Sequence, residues 1–328
     1  MPAEWSAVQT FAVDVASGRL SHLGCEIPTG SVSPCHLALM GGGGQQQMAL
    51  LVAHFAGGAV SMLSIDTDTG AVAACRAVQP MGVPWWEEST ASPGTHTHAD
   101  PAYAAGHHAH CTAVEPTHGL FALVADYGRS MLFVLDISSE KQLALAAVPP
   151  FACGAGTGPR QLAFHPSGRL LFVVHADAGM LQSFRFDPTS GALQPLSEVS
   201  TTPIGGASDL AVSADGSIVY VGNIKEATTV TTVAVDEKDG GLHVIGTPLD
   251  VGCSADTLSL THEGEWLVVA STSGNRVLVL RIGGEGSDHS REPRMTGNEV
   301  SGIEAPSCVA FLLPNSSYSA EPIRGSSL

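Results

Sequence analysis

The feature that most constrains this chain is that it can be laid on itself. GPRQLAFHPSGRLLFVVHADAGMLQSFRFDPTSGAL, from Gly158, aligns with GASDLAVSADGSIVYVGNIKEATTVTTVAVDEKDGGL, from Gly206. SADTLSLTHEGEWLVVASTSGNRVLVLRI follows from Ser254, HAHCTAVEPTHGLFALVADYGRSMLFVLDIS precedes from His108, and a further copy starts at Ser33. A fragment, APSCVAFL from Ala305, carries only the opening strand of a copy. The period is about 48–50 residues, and a β-sandwich has no reason to hold such a spacing across successive units.

Each unit reads as four strands. A short apolar strand (LAF, LAV, LSL) is followed by a Pro/Asp/Gly turn, a strongly apolar strand (LLFVV, IVYVG, WLVVA) and an alternating strand. A D-x-x-x-G-x-L hairpin then leads into a fourth strand. Alternation and regularly spaced turn residues indicate strands rather than helices, and four strands at this period make a propeller blade. The chain is therefore expected to be an all-β propeller, one domain over residues 1–328. A long Pro/Ser/Thr/Gly-rich loop is inserted at 80–106 and a polar loop lies at 283–302.

Blade geometry directs attention to two rings. The start of strand one and the end of strand two lie on the same face of the disc, so residues there converge near the central channel. The first ring comprises Cys35, His110, Arg160, Ser208, Asp256 and Ser307; the second comprises His54, Asp126, His175, Asn223 and Ser271.

Composition excludes several alternatives. The 37 Gly, 20 Pro and low charged fraction of 14% suit many short strands joined by turns. A formal net charge of −17 argues against nucleic acid as a partner. The seven cysteines are scattered, odd in number and without a CxxC pair, which fits a reduced, cytoplasmic protein. No apolar run is long enough for a membrane span, and the first residues lack the pattern of a signal peptide.

In register, the motifs resemble those of the lactonase-type seven-bladed propellers, which include 6-phosphogluconolactonases and carboxymuconate-lactonizing enzymes. GAGTGPRQLAFHPSGRLLFVV (154–174) is similar to that family's G-x-GPRHLAFHP-x-G signature. GHHAHCTAVEP (106–116) resembles its P-H-A-H segment, with His108 and His110 on the two histidines. The stretch from Asp126 and Gly128 resembles its D-L-G-x-D-x-V, and APSCVAF (305–311) its closing P-x-C-V-x-F. Against the family pattern this chain should hold about five complete four-stranded blades, an outer half-blade from Thr10 and one inner strand at 305–312. That count implies either a six-bladed closure or an incomplete seven-bladed ring with an open seam.

The resemblance implies lactone hydrolysis, most directly 6-phosphogluconolactone to 6-phosphogluconate in the pentose phosphate pathway. No cofactor and no metal is called for, and the partner is a small anionic sugar lactone. His108 or His110 would act as general acid or base because imidazole titrates near working pH. Arg160 would clamp the anion and stabilise developing oxyanion charge. The family's strand-closing glutamate is replaced by Ala176, which leaves His175 as a substitute base and Asp177 as the adjacent carboxylate. The family's later arginines become Ile224, beside Asn223, and Asp256. Asn223, Asp177 and Asp126 are thus candidates for substrate contact, although Asp126 also reads as a turn residue. His96, His98, His107, His108 and His110 crowd the end of the inserted loop without spaced cysteines or a clear carboxylate partner. Because half of the family's catalytic set is missing, a noncatalytic binding platform and a carboxymuconate cyclase-like activity stand as alternatives.

Overall fold

The apolar runs and alternating segments of each repeat become strands, and the turn residues between them become tight reversals. The computed structural model describes residues 6–41, 48–82, 106–138, 142–225, 227–283 and 291–311. Most of the inserted loop expected at 80–106, with His96 and His98, lies outside the described residues. No helix among them is long and apolar enough to cross a membrane.

Five four-stranded antiparallel blades follow in chain order. The first is β3 (Pro34–Met40), β4 (Ala49–His54), β5 (Ala59–Ile65) and β6 (Val72–Pro80). The second is β7 (Ala109–Val114), β8 (Phe121–Asp126) and β9 (Met131–Asp136), with its outer strand split into β10 (Ala144–Leu145) and β11 (Phe151–Ala152). Pro149 and Pro150 lie between those two pieces, and lacking N–H groups they cannot continue a ladder. The third is β12 (Pro159–Phe164), β13 (Leu170–His175), β14 (Met180–Phe186) and β15 (Leu193–Ser200). The fourth is β16 (Ala207–Val212), β17 (Ile218–Asn223), β18 (Thr229–Val235) and β19 (Leu242–Asp250). The fifth is β20 (Thr257–Leu260), β21 (Trp266–Ser271), β22 (Arg276–Ile282) and β23 (Pro293–Ser301). β1 (Ala7–Val13) and β2 (Leu20–Pro28) make a separate two-stranded sheet.

The second strand of each blade is a continuous apolar run because both its faces are covered. Leu171 and Val173 of β13 pack with Leu123 and Leu132 of the preceding blade, whereas Phe172 and Val174 pack with Val219 and Val221 of the following one. Equivalent layers join the first blade to the second and the fourth to the fifth. β1–β2 packs on the first blade through Val8 and Ile27 against Leu50, Val52 and Leu63. Each such fully buried Val, Leu or Phe contributes roughly 1.5–3 kcal/mol. The D-x-x-x-G hairpins close with a backbone bond from the Gly to the Asp carbonyl, 2.8 Å for Gly191–Asp187 and 2.7 Å for Gly240–Asp236. Both glycines need their left-handed φ of 77° and 79°, which costs a Cβ-bearing residue more.

Two expectations are corrected. Residues 293–301, placed in a polar loop, form the edge strand β23; both its faces are largely exposed, so polar composition suits it. The inner strand expected at 305–312 does not form over its described residues, 305–311. Instead, Thr257 and Thr272 donate side-chain hydrogen bonds to the carbonyls of Ser307 (2.7 Å) and Pro306 (3.2 Å). This segment and β1 both border the central cavity.

Candidate active site

The inner strands β3, β7, β12, β16 and β20 stand side by side around a central cavity of about 760 Å³. All six residues of the first ring line it: Cys35, His110, Arg160, Ser208, Asp256 and Ser307. The backbone explains why. β3, β7, β12 and β16 each carry a register shift at their first residues, which leaves Cys35, His110, Arg160 and Ser208 outside the regular pairing. Such a bulge breaks alternation and re-aims side chains. The residues that follow, His36, Gln161 and Asp209, therefore face the same cavity.

Arg160 and His110 meet across the blade boundary. Arg160 Nε donates to His110 Nε2 at 3.2 Å. Burial first, and then the charge of Arg160, push the His110 pKa down to about 3. The ring is thus neutral, and its proton sits on Nδ1, which is buried and finds no partner among the described residues. His110 also packs edge-on to Phe55, with ring centroids 5.7 Å apart. Burial pushes the pKa of His36 down to about 4.

Asp209 is the functional candidate that sequence reasoning missed. Burial pushes its carboxyl up to about 6, although Leu258 N (2.7 Å) and Leu210 N (2.8 Å) donate to it and Arg160 opposes the shift. The signal was available: Asp209 is a lone acid inside the apolar inner strand ASDLAV. Asp256 is held by Thr272 N at 2.8 Å and Ser254 Oγ at 2.5 Å.

Two of the lining's hydroxyl and thiol groups are held back from acting as nucleophiles. Ser208 Oγ donates to Ala255 O, and burial pushes the Cys35 thiol up to about 11, so it stays protonated at neutral pH.

The second ring does not reach the cavity. His54, Asp126, His175, Asn223 and Ser271 are all fully buried, because the second strand is covered by blades on both sides. His175 Nε2 is 3.1 Å from Gln182 Oε1, and burial pushes its pKa down to about 4. Asn223 donates to Thr229 and Thr231 and accepts from Thr201. Asp126 pairs with His107 Nδ1 at 2.5 Å and accepts from the backbone of His108 and Arg129. His108 stacks on Phe55, with ring centroids 4.7 Å apart, and its Nδ1 is 2.9 Å from Phe55 O. Asp177 lies 3.9 Å from Lys225 and accepts from Tyr127. Of the candidates His108, His110, Arg160, His175, Asn223, Asp177 and Asp126, His110 and Arg160 alone line the cavity, while His108 and Asp126 meet away from it. Among the described residues no group of three or more His, Cys, Asp or Glu side chains could hold a metal ion.

Four-stranded blades whose inner strands converge on a ligand-sized channel define a β-propeller with a central candidate site. Residues 3–311 match the family model described as lactonase, 7-bladed beta-propeller, and the chain belongs to that family. A 6-phosphogluconolactonase of Bacillus subtilis is 25% identical over 221 residues, 66% of this chain and 56% of that protein. One from Pectobacterium atrosepticum is 23% identical over 180 residues, 53% of each chain. The chain thus spans about half the length of the curated relatives it matches. A crystal structure from Bacteroides uniformis superposes with a TM-score of 0.77 at 23% identity, covering 93% of this chain and 81% of that one. The periplasmic gluconolactonase of Pseudomonas aeruginosa gives 0.76 at 23% identity, covering 93% and 80%. These two likenesses carry the fold.

Proposed function

We propose that this protein hydrolyses a sugar lactone in the central cavity, the 6-phosphogluconolactonase type of reaction being the reference set by the names of its relatives. The observation that carries the reading is the Arg160 guanidinium at the cavity wall, oriented by His110 from the neighbouring blade. A positively charged donor fixed before substrate arrives is suited to meet the oxyanion that forms when water adds to a lactone carbonyl.

The base is Asp209 rather than His110. A group whose conjugate acid has a pKa of about 3 takes protons poorly, and His110 Nε2 is already occupied by Arg160. Asp209, pushed up to about 6, is ionised at neutral pH yet basic enough to accept a proton from water. The water oxygen bonds to the carbonyl carbon as its proton passes to Asp209. The tetrahedral intermediate then collapses, the bond from carbon to the ring oxygen breaks, and the Asp209 proton goes to that oxygen. The product is the open-chain hydroxy acid.

The test is acid release from 6-phosphogluconolactone and from glucono-δ-lactone, with the spontaneous rate subtracted. The wild type should exceed the spontaneous rate on at least one of them. His110→Ala should lower kcat/KM by about tenfold, in line with loss of a positioning contact worth roughly 1–2 kcal/mol. A folded wild type with no excess rate on either lactone would overturn the proposal.

A further inference from the structure

The charges around the cavity bear on which lactone it takes. Among the described residues that line it, Arg160 is the one permanently cationic side chain, and the carboxylates of Asp209 and Asp256 line the same cavity. The two lining histidines, His36 and His110, are kept neutral by burial at working pH. The formal charge of the lining is therefore negative among the described residues. Lys225 offers no help: it stands near Asp177, away from the cavity wall. The rest of the polar lining consists of uncharged amides and hydroxyls such as Gln161 and Thr257.

A phosphate monoester carries about −1.5 to −2 charges at neutral pH. Its binding needs several convergent cations or free backbone N–H donors. Asp256 stands in the same ring as Arg160, and its carboxylate is fixed in place by Thr272 N and Ser254 Oγ. It cannot swing away without abandoning both bonds. A sugar ring presents hydroxyl donors instead, which fixed carboxylates and amide oxygens accept well.

We infer that the cavity selects an uncharged sugar lactone over its phosphorylated counterpart, with Asp256 as a specificity-determining residue that repels the phosphate. The inference rests on the lactone-hydrolase reading above and narrows its substrate.

The experiment compares glucono-δ-lactone with its 6-phosphate on the full chain at one ionic strength and pH 7, with spontaneous rates subtracted. The wild type should show a kcat/KM at least tenfold higher for the uncharged lactone. Asp256→Asn, which keeps an acceptor for Thr272 N, and Asp256→Arg should each shift that ratio toward the phosphorylated substrate by at least fivefold. Equal or greater efficiency on the 6-phosphate overturns the substrate assignment and leaves hydrolysis standing. An unchanged ratio in folded Asp256→Asn and Asp256→Arg removes the role given to Asp256. No excess rate on either substrate overturns the hydrolase reading itself. Thermal unfolding of each variant checks folding, and the wild-type comparison decides the substrate class even where a variant does not fold.

Discussion

Whether Asp209 or His110 is the base can be read from a pH profile, because the fold drives their proton affinities in opposite directions. Burial raises the Asp209 carboxyl to about 6 and lowers the His110 imidazole to about 3. The profile of kcat/KM reports the essential groups of the free enzyme. With Asp209 as base, the active form is the carboxylate, so activity is present above pH 6 and is lost as pH falls through that value. At pH 5 about one-tenth of the sites are ionised, and kcat/KM should fall roughly tenfold from its plateau near pH 7. With His110 as base, about 99% of the sites would still be active at pH 5 and the profile would be flat over this range. The assay is continuous acid release between pH 4.5 and 7.5, where spontaneous opening is slow enough to subtract. Asp209→Asn should lose about 10²–10⁴-fold in rate and the limb with it. Its amide would also set an N–H against the Leu258 or Leu210 N–H, at a cost of roughly 1–3 kcal/mol in stability, so folding is verified by thermal unfolding. A flat profile from pH 5 to 7 in the wild type, or an undiminished limb in Asp209→Asn, would refute the assignment.

Other outcomes follow from the same physics. His175 has a folded pKa near 4 against an ordinary 6.5, so the unfolded chain binds its proton first as pH falls. Stability should thus decline from pH 6.5 toward 4 by about 3 kcal/mol through this residue, and urea unfolding of His175→Leu should show a correspondingly shallower pH dependence. Phe184→Ala empties a fully buried site between the second and third blades and should cost about 3–5 kcal/mol by chemical denaturation. Gly216→Ala should lower the melting temperature by several degrees, because a Cβ there would collide with the His165 ring at a φ of 74°.

Much of this was legible in the chain. The repeat placed Cys35, His110, Arg160, Ser208, Asp256 and Ser307 at equivalent positions, and all six line one cavity. What misled was the second ring. Antiparallel pairing does bring the end of strand two beside the start of strand one, as with His175 opposite Pro159. Its side chains, however, point into the layer between blades, where polar termini pair locally, His54 with Ser61 at 2.8 Å and His175 with Gln182. Spacing along the chain cannot distinguish the channel from that layer. Asp209 was hidden for a different reason. Regular alternation turns the neighbour of a channel residue away, and only the bulge at the start of β16 returns it. A bulge of this kind is decided by tertiary packing and leaves little trace in composition.

The central claim is that the cavity is a lactone-hydrolysing centre organised around Arg160. The most direct measurement is the initial rate of acid release from glucono-δ-lactone by the wild type and by Arg160→Ala at equal concentration and equal melting temperature. The wild-type rate should exceed the spontaneous one and fall by about 100-fold in the variant, the scale of removing an oxyanion donor. Equal excess rates for the two proteins, or none for either, would contradict that claim.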